Sequence, residues 1–251
     1  MLRSSLLPRR FRHGFTERAG GASAAPYDTM NVGLKWGDDR AAVVENRQRV
    51  LVASGARAMF IGKQVHGCDV AIVQPDSEPD MVATQNADAI VTATSDLAVA
   101  VIVADCVPVL LADPVTGACA AVHAGWRGTA MNVVGKALQQ MQSLTGARPE
   151  DICAVVGPSI GPCCFEVGDD VVAGLLRCLP ARHDLFSPGK RGRPHADLWA
   201  ANRALLESAG VQRDRIDNLN QCTHCQPNRF FSYRRDGSRT GQMMGFVAHV
   251  I

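Results

Sequence analysis

No uninterrupted apolar run in these 251 residues is long enough to span a bilayer, which argues against a helical membrane anchor. Net charge is nearly absent as well. Lys and Arg total 26 against 24 Asp and Glu, leaving +2, too little to make nucleic acid or a membrane surface the main partner. The chain has no internal repeat and no low-complexity tract. It also opens without a secretory signature: MLRSSLLPRRFRHGF is basic but lacks an apolar centre and a small-residue cleavage site. That segment is expected to be a short ordered or frayed start. Nine cysteines, odd in number and irregularly spaced, then point to a reducing, cytoplasmic setting in which thiols stay free or bind metal.

What is present fits a globular protein. The apolar share of 47% and charged share of 20% are ordinary for one, and 251 residues can bury a substantial core within a single domain, residues 1–251. Between His13 and Gly37 the Gly, Ser and Asn content predicts loop, with short strands around Phe15 and from Met30 to Leu34. Asp38 or Asp39 should cap a helix that Gly55 ends. Short apolar runs at 60–65, 70–73, 88–92, 97–104, 107–111 and 118–122 form a sheet-building series. Helices are expected over 129–144, 167–179 and 197–208, strands over 152–156, near Ile216 and from Met243 onward, and a basic linker over 180–194. Strands and helices mix without strict alternation. The expected class is therefore α+β, with mixed sheets flanked by helices in an α/β/β/α layering.

The stretch ADCVPVLLADPVTGACAAVHAGWRG, Ala104 to Gly128, is largely small or apolar, so its few polar residues need a reason. Folding its arms about a turn centred between Pro114 and Val115 sets Cys106 opposite His123. Directly opposed residues have Cβ atoms about 4.5–5.5 Å apart, close enough to grip one ion at a Zn–S distance of about 2.3 Å. Pro108 favours a bulge that would shift this register by one. His66, in the HGCD turn, completes a set in which each member sits where an apolar run gives way to turn residues. Two histidines and a cysteine leave a tetrahedral zinc one position short, the pattern of a catalytic site. The alternative is that Cys106 is a buried thiol and the histidines only end strands.

Other chemistry-bearing residues are more ambiguous. CTHC, Cys222 to Cys225, has the gap of a zinc knuckle or redox dithiol, but no second pair at matching distance accompanies it. Cys163 and Cys164 are adjacent, and free thiols are the expected state of all four. Arg127, Arg229, Arg234, Arg235 and Arg239 suit anion recognition, interleaved near the end with Phe230, Phe231 and Tyr233. The alternative there is a solvated basic loop pinned by two core phenylalanines. Arg127 and Arg234 are the residues chosen for phosphate. GPSIGPCC could turn backbone N–H groups toward an anion, though it lacks the Lys-Ser or Lys-Thr of a nucleotide-hydrolase loop. Asp105 and Glu166 are the acidic residues nearest the centre, as proton carriers or as groups that orient loops.

QVHG at 64–67, ADCVP at 104–108, HAGWRG at 123–128, GPSIGPCCFEV, DLWAANR and FFSYRRDG together resemble the laccase-domain or "polyphenol oxidase" family. That family consists mainly of zinc-dependent purine nucleoside phosphorylases, some known as peptidoglycan editing factors, and the likeness runs from about Phe15 to the end. It implies a metal held by His66, Cys106 and His123, zinc in the first place with copper as the other ion. It further implies phosphorolysis of adenosine, inosine and methylthioadenosine with inorganic phosphate, accompanied by adenosine deamination, in a monomer or homodimer. One departure is visible. The family carries an arginine after the Thr-Gly of the last loop, where Gln242 stands here.

Three other functions use the same residues. Cys106 activated by His123 would make a cysteine hydrolase or amidase acting on a cell-wall precursor. A copper-dependent phenol oxidase matches the old family name, but one His/Cys/His set has too few ligands for a multi-copper cluster. A metal-dependent binding module would keep the ligands and turn over no nucleoside.

Overall fold

Helix ends form where the local chemistry places them. Asp39 caps the first helix by accepting from the Ala41 N–H, and Gly55 ends it in the left-handed conformation (φ 68°). The computed structural model describes residues 1–189 and 192–250. In chain order the first half comprises β1 (Phe11–Phe15), α1 (Arg40–Ser54), β2 (Ala58–Phe60), β3 (Val70–Val73), α2 (Pro79–Val82), β4 (Ala89–Thr92), β5 (Leu97–Val103) and β6 (Val107–Ala112). Next come β7 (Cys119–Ala124), α3 (Trp126–Ala130), α4 (Val133–Thr145), β8 (Cys153–Val156) and α5 (Asp169–Cys178). The chain closes with β9 (Phe186–Pro188), β10 (Pro194–Ala196), α6 (Leu198–Ser208), β11 (Ile216–Asn218), α7 (Tyr233–Asp236) and β12 (Met243–His249).

A six-stranded mixed sheet has the order β11-β8-β6-β7-β4-β3, and a four-stranded one the order β1-β12-β5-β2. Alternation along the strands builds the layers. Leu110, Ala112, Cys119, Ala121 and Val155 turn toward Phe11, Phe15, Val99, Val101 and Val247 of the smaller sheet, filling the space between the two. Val107, Val109, Leu111, Ala120 and Val122 turn the other way onto Val134, Leu138, Met141, Leu175 and Leu205 of α4, α5 and α6. On the far side, Ala100, Met244 and Phe246 pack with Val50 of α1 and with Met30 and Val32. The result is the expected α/β/β/α layering. Both central strands β6 and β7 are buried throughout, and each fully covered Leu or Val there contributes about 1.5–3 kcal/mol.

Several local expectations are corrected. Met30 to Leu34 is loop rather than strand, because Asn31 binds its own neighbourhood, exchanging bonds with Gly33 O and Gly33 N, both 2.9 Å. The helix expected over 129–144 is two helices. Asn132 stands at the break in the left-handed conformation (φ 56°), where its side chain caps α4 by accepting from the Gly135 N–H. The expected linker holds a short hairpin of β9 and β10, and its Lys190 and Arg191 lie outside the described residues. The start is ordered: Leu2 and Phe15 exchange both backbone hydrogen bonds, each 2.9 Å. Among the described residues no helix is long and apolar enough to cross a membrane.

Candidate metal centre

The β6–β7 hairpin shows how Cys106 and His123 are brought together. Its turn centres one residue later than expected, between Val115 and Thr116, because Asp113 closes it by accepting from the Val115 N–H (2.8 Å) and the Thr116 hydroxyl (2.6 Å). His123 therefore lies opposite Pro108, not Cys106. Two residues along a strand share a face, so Cys106 remains a diagonal neighbour on the same side. The residue that would oppose Cys106 if the ladder continued is Gly125. A Cβ built there would lie 3.0 Å from Cys106 Sγ and 3.2 Å from the His66 ring, so any side chain at this position would crowd both groups.

His66 arrives from the loop before β3, in a left-handed conformation (φ 61°) that a non-glycine residue adopts at a cost. Asp88 holds it there. The Asp88 carboxylate accepts from three successive N–H groups, Val65 (3.1 Å), His66 (2.9 Å) and Gly67 (2.7 Å). It also accepts from His123 Nδ1 at 2.7 Å. The β4–β7 ladder sets this contact, since the register pairing Ala89 with Val122 continues to Asp88 and His123, and the His123 N–H donates to Asp88 O at 2.7 Å. Asp88 is wholly buried.

His66, Cys106 and His123 consequently converge, each offering one ligand atom within 4.8 Å of the others. The imidazole rings meet edge to face with centroids 4.9 Å apart. With Nδ1 committed to Asp88, His123 presents Nε2 to the cluster, the carboxylate–histidine arrangement that orients metal ligands. Burial would raise the Cys106 thiol, but the His123 and His66 imidazoles outweigh it and bring the thiol down to about 6. Burial likewise opposes charge on His123, yet Cys106 and Asp88 lift it to about 9. Burial also works against the Asp88 charge, and the bonds from His123, Gly67 and Val65 still hold its carboxyl below the usual range. A thiolate facing two imidazoles is a donor set that suits a borderline-soft divalent ion.

His66, Cys106 and His123 form part of the wall of a cavity of about 660 Å³, within the usual range for small-molecule sites. Trp36, Phe165 and Tyr233 supply aromatic surface, Trp36 and Tyr233 being stacked at 5.3 Å. Lys35, Arg47 and Arg234 supply positive charge. Arg234 lies with its guanidinium 5.2 Å from the Phe165 ring centroid and donates to Glu166 O at 3.0 Å. Gln242 also lines the cavity, against Gly33.

Other candidates fall elsewhere. Arg127 is exposed, stacked on Trp126 at 4.4 Å, and is not part of the cavity wall. Arg229 pairs with Glu17 and Arg235 with Asp236, each at 2.8 Å, while Phe230 and Phe231 are fully buried. Asp105 is a fastener: its carboxylate accepts from Thr223 Oγ1 (2.6 Å), Ser232 Oγ (3.0 Å) and the Arg234 N–H (2.6 Å). Sequence reasoning missed Asp88 and Arg47. The available signal for Asp88 was a lone acidic residue heading the apolar run AIVT.

Known proteins similar to this chain share most of its length. The family model described as multi-copper polyphenol oxidoreductase laccase matches residues 12–249. The purine nucleoside phosphorylase YlmD of Geobacillus stearothermophilus is 37% identical, covering 93% of this chain and 88% of that protein. A purine nucleoside phosphorylase of Deinococcus radiodurans is 42% identical over 94% of this chain and 88% of its own. The crystal structure of YlmD from Geobacillus stearothermophilus superposes with a TM-score of 0.89 at 35% identity, covering 97% of this chain and 93% of that one. With nearly its whole length matched in sequence and in fold, the chain belongs to the multi-copper polyphenol oxidoreductase laccase family.

Proposed function

We propose that residues 1–251 form a single-domain, zinc-dependent purine nucleoside phosphorylase. It takes adenosine, inosine or methylthioadenosine with inorganic phosphate to the free base and the sugar 1-phosphate, and deaminates adenosine as a companion activity. The observation that carries this reading is the convergence of His66, Cys106 and His123 on a cavity walled by aromatic rings and guanidinium groups. The names of the relatives support it. His66, Cys106 and His123 would hold zinc, and when bound it would supply Lewis acidity beside the substrate.

The protein's own groups do the rest. Asp88 keeps the Nδ1 proton of His123 engaged and its ring aimed. Trp36, Phe165 and Tyr233 offer faces on which a purine stacks. Arg47 and Arg234 bind phosphate through forked N–H donors. Arg47 replaces Arg127 in this assignment because Arg127 lies outside the cavity wall. A phosphate oxygen forms the new bond to the sugar C1′ while the C1′–N bond breaks; the purine leaves with that electron pair and takes up a proton. The nine cysteines, all free, support a reducing, cytoplasmic setting, and the protein acts as a monomer or homodimer.

The test is to incubate zinc-loaded protein with adenosine, with and without phosphate. Adenine plus ribose 1-phosphate, formed only with phosphate, is the expected result. Unchanged adenosine in both tubes with verified metal refutes the reading. Activity on a cell-wall precursor that survives metal removal and is lost on iodoacetamide treatment would transfer the chemistry to Cys106 as a nucleophile. Oxidation of phenols by copper-loaded protein alone would assign it to the oxidase.

A further inference from the structure

Four thiols have no part in the nucleoside site. Cys163 and Cys164 lie in GPSIGPCCFEV, which follows β8; Cys222 and Cys225 lie in CTHC, which follows β11. Because β8 and β11 are parallel neighbours, both loops leave the same end of the sheet. They are zipped together beyond it: the Ser159 N–H donates to Gln221 O (3.1 Å) and the Thr223 N–H to Ser159 O (3.0 Å). A tight turn, in which the N–H groups of Cys164 and Phe165 both donate to Gly161 O at 3.0 and 3.1 Å, carries the adjacent cysteines to the knuckle. All four Sγ atoms lie within 4.8 Å of one another. Cys225 Sγ is 3.5 Å from that of Cys163 and 3.3 Å from that of Cys164.

These are free thiols, not disulfides. Four sulfurs placed tetrahedrally about an ion at a Zn–S distance of about 2.3 Å lie about 3.8 Å apart, within a few tenths of an ångström of the 3.3 and 3.5 Å contacts and inside the 4.8 Å span of the set. The surroundings suit the negative charge such a centre carries. The Gly161 N–H points at Cys222 Sγ (3.3 Å). The Arg235 guanidinium grips the knuckle through Thr223 O (2.9 Å), His224 O (3.2 Å) and Phe230 O (2.9 Å).

We propose that Cys163, Cys164, Cys222 and Cys225 form a second, structural zinc site, a closed tetrathiolate separate from His66, Cys106 and His123. Binding exchanges S–H bonds for S–Zn bonds and releases the thiol protons, with no change of oxidation state. Four protein ligands leave no open position, so the site performs no chemistry. It clamps the loop that brings Ile160 and Phe165 to the cavity against the loop that leads on to Tyr233 and Arg234. The inference stands on these four residues alone and does not depend on the nucleoside reading.

The test measures zinc per chain in protein prepared under reducing conditions, loaded with zinc and dialysed. About two ions are expected in the unaltered chain and about one in His66→Ala/His123→Ala. About one is also expected in Cys163→Ser/Cys225→Ser, a pair chosen because both side chains are exposed. Cobalt loaded into His66→Ala/His123→Ala should show sulfur-to-metal charge-transfer bands, a readout that does not require the cysteine variant to fold. A single ion in the unaltered chain and none in His66→Ala/His123→Ala overturns the proposal. So does a disulfide among these cysteines in the reduced, zinc-loaded protein.

Discussion

Replacing Asp88 should damage metal binding and stability together. Asp88→Ala leaves four donors without their acceptor, the partly buried N–H groups of Val65, His66 and Gly67 and the buried His123 Nδ1. Each unsatisfied group costs about 1–3 kcal/mol. Taking only the lower bound for all four gives about 4 kcal/mol, which for a chain of this size lowers the melting temperature by about 8–16 °C. Asp88→Asn keeps one acceptor oxygen but turns an amide N–H₂ toward donors, so it should fall between the two. Loss of the carboxylate that orients a ligating histidine weakens metal binding about 10–100-fold. Calorimetric melting of the metal-free protein separates the stability term; zinc competition against a chromogenic chelator gives the affinity. An Asp88→Ala protein that melts within about 2 °C of the parent, or binds zinc equally well, would refute the argument that this carboxylate assembles the site.

Gly125→Ala should reduce zinc affinity at least about tenfold with little change in fold, because its methyl group would sit 3.0 Å from Cys106 Sγ; unchanged zinc titration would contradict this. Arg234→Ala should raise the KM for phosphate about tenfold or more while leaving that for nucleoside nearly unchanged, whereas Arg127→Ala should change either less than about threefold; equal effects in steady-state kinetics would overturn the assignment. His13 is neutral in the fold, its Nδ1 facing Phe11 O (3.0 Å) and its Nε2 accepting from the Ser4 N–H (3.1 Å), and burial holds its pKa below the ordinary value. The unfolded chain then binds the proton more readily, so the stabilisation is complete above about pH 6.5 and is lost as pH falls through the lower folded value. Urea unfolding should show this acid slope, and His13→Gln should flatten it.

Much of this structure was legible beforehand because its signals are local. The β5, β6 and β7 runs are apolar for five residues or more, and α1 carries its cap in Asp39 and its stop in Gly55. The three residues that cluster, His66, Cys106 and His123, were recognisable by type and by their place at strand ends. What escaped was set by pairings across the fold. The hairpin register depended on Asp113 closing the turn, so the facing residue of His123 was misassigned while its neighbour Cys106 was not. Asp88 became visible only when β4 lay beside β7. Cys163 and Cys164 looked unpaired because their counterparts, about sixty positions later in the chain, are brought near only by the β8–β11 contact.

The placement of β12 bears on how the molecule is made. This last strand is not an edge but lies between β1 and β5, bonded to both. Until Met243–His249 emerges from the ribosome, the first and fifth strands cannot be joined, and the edge of β5 that β12 bonds stays unpaired. At about 5–20 residues per second, synthesis of the intervening stretch takes about 7–28 s. For that interval the nascent chain exposes an unpaired strand edge, and it is then a natural client for chaperones.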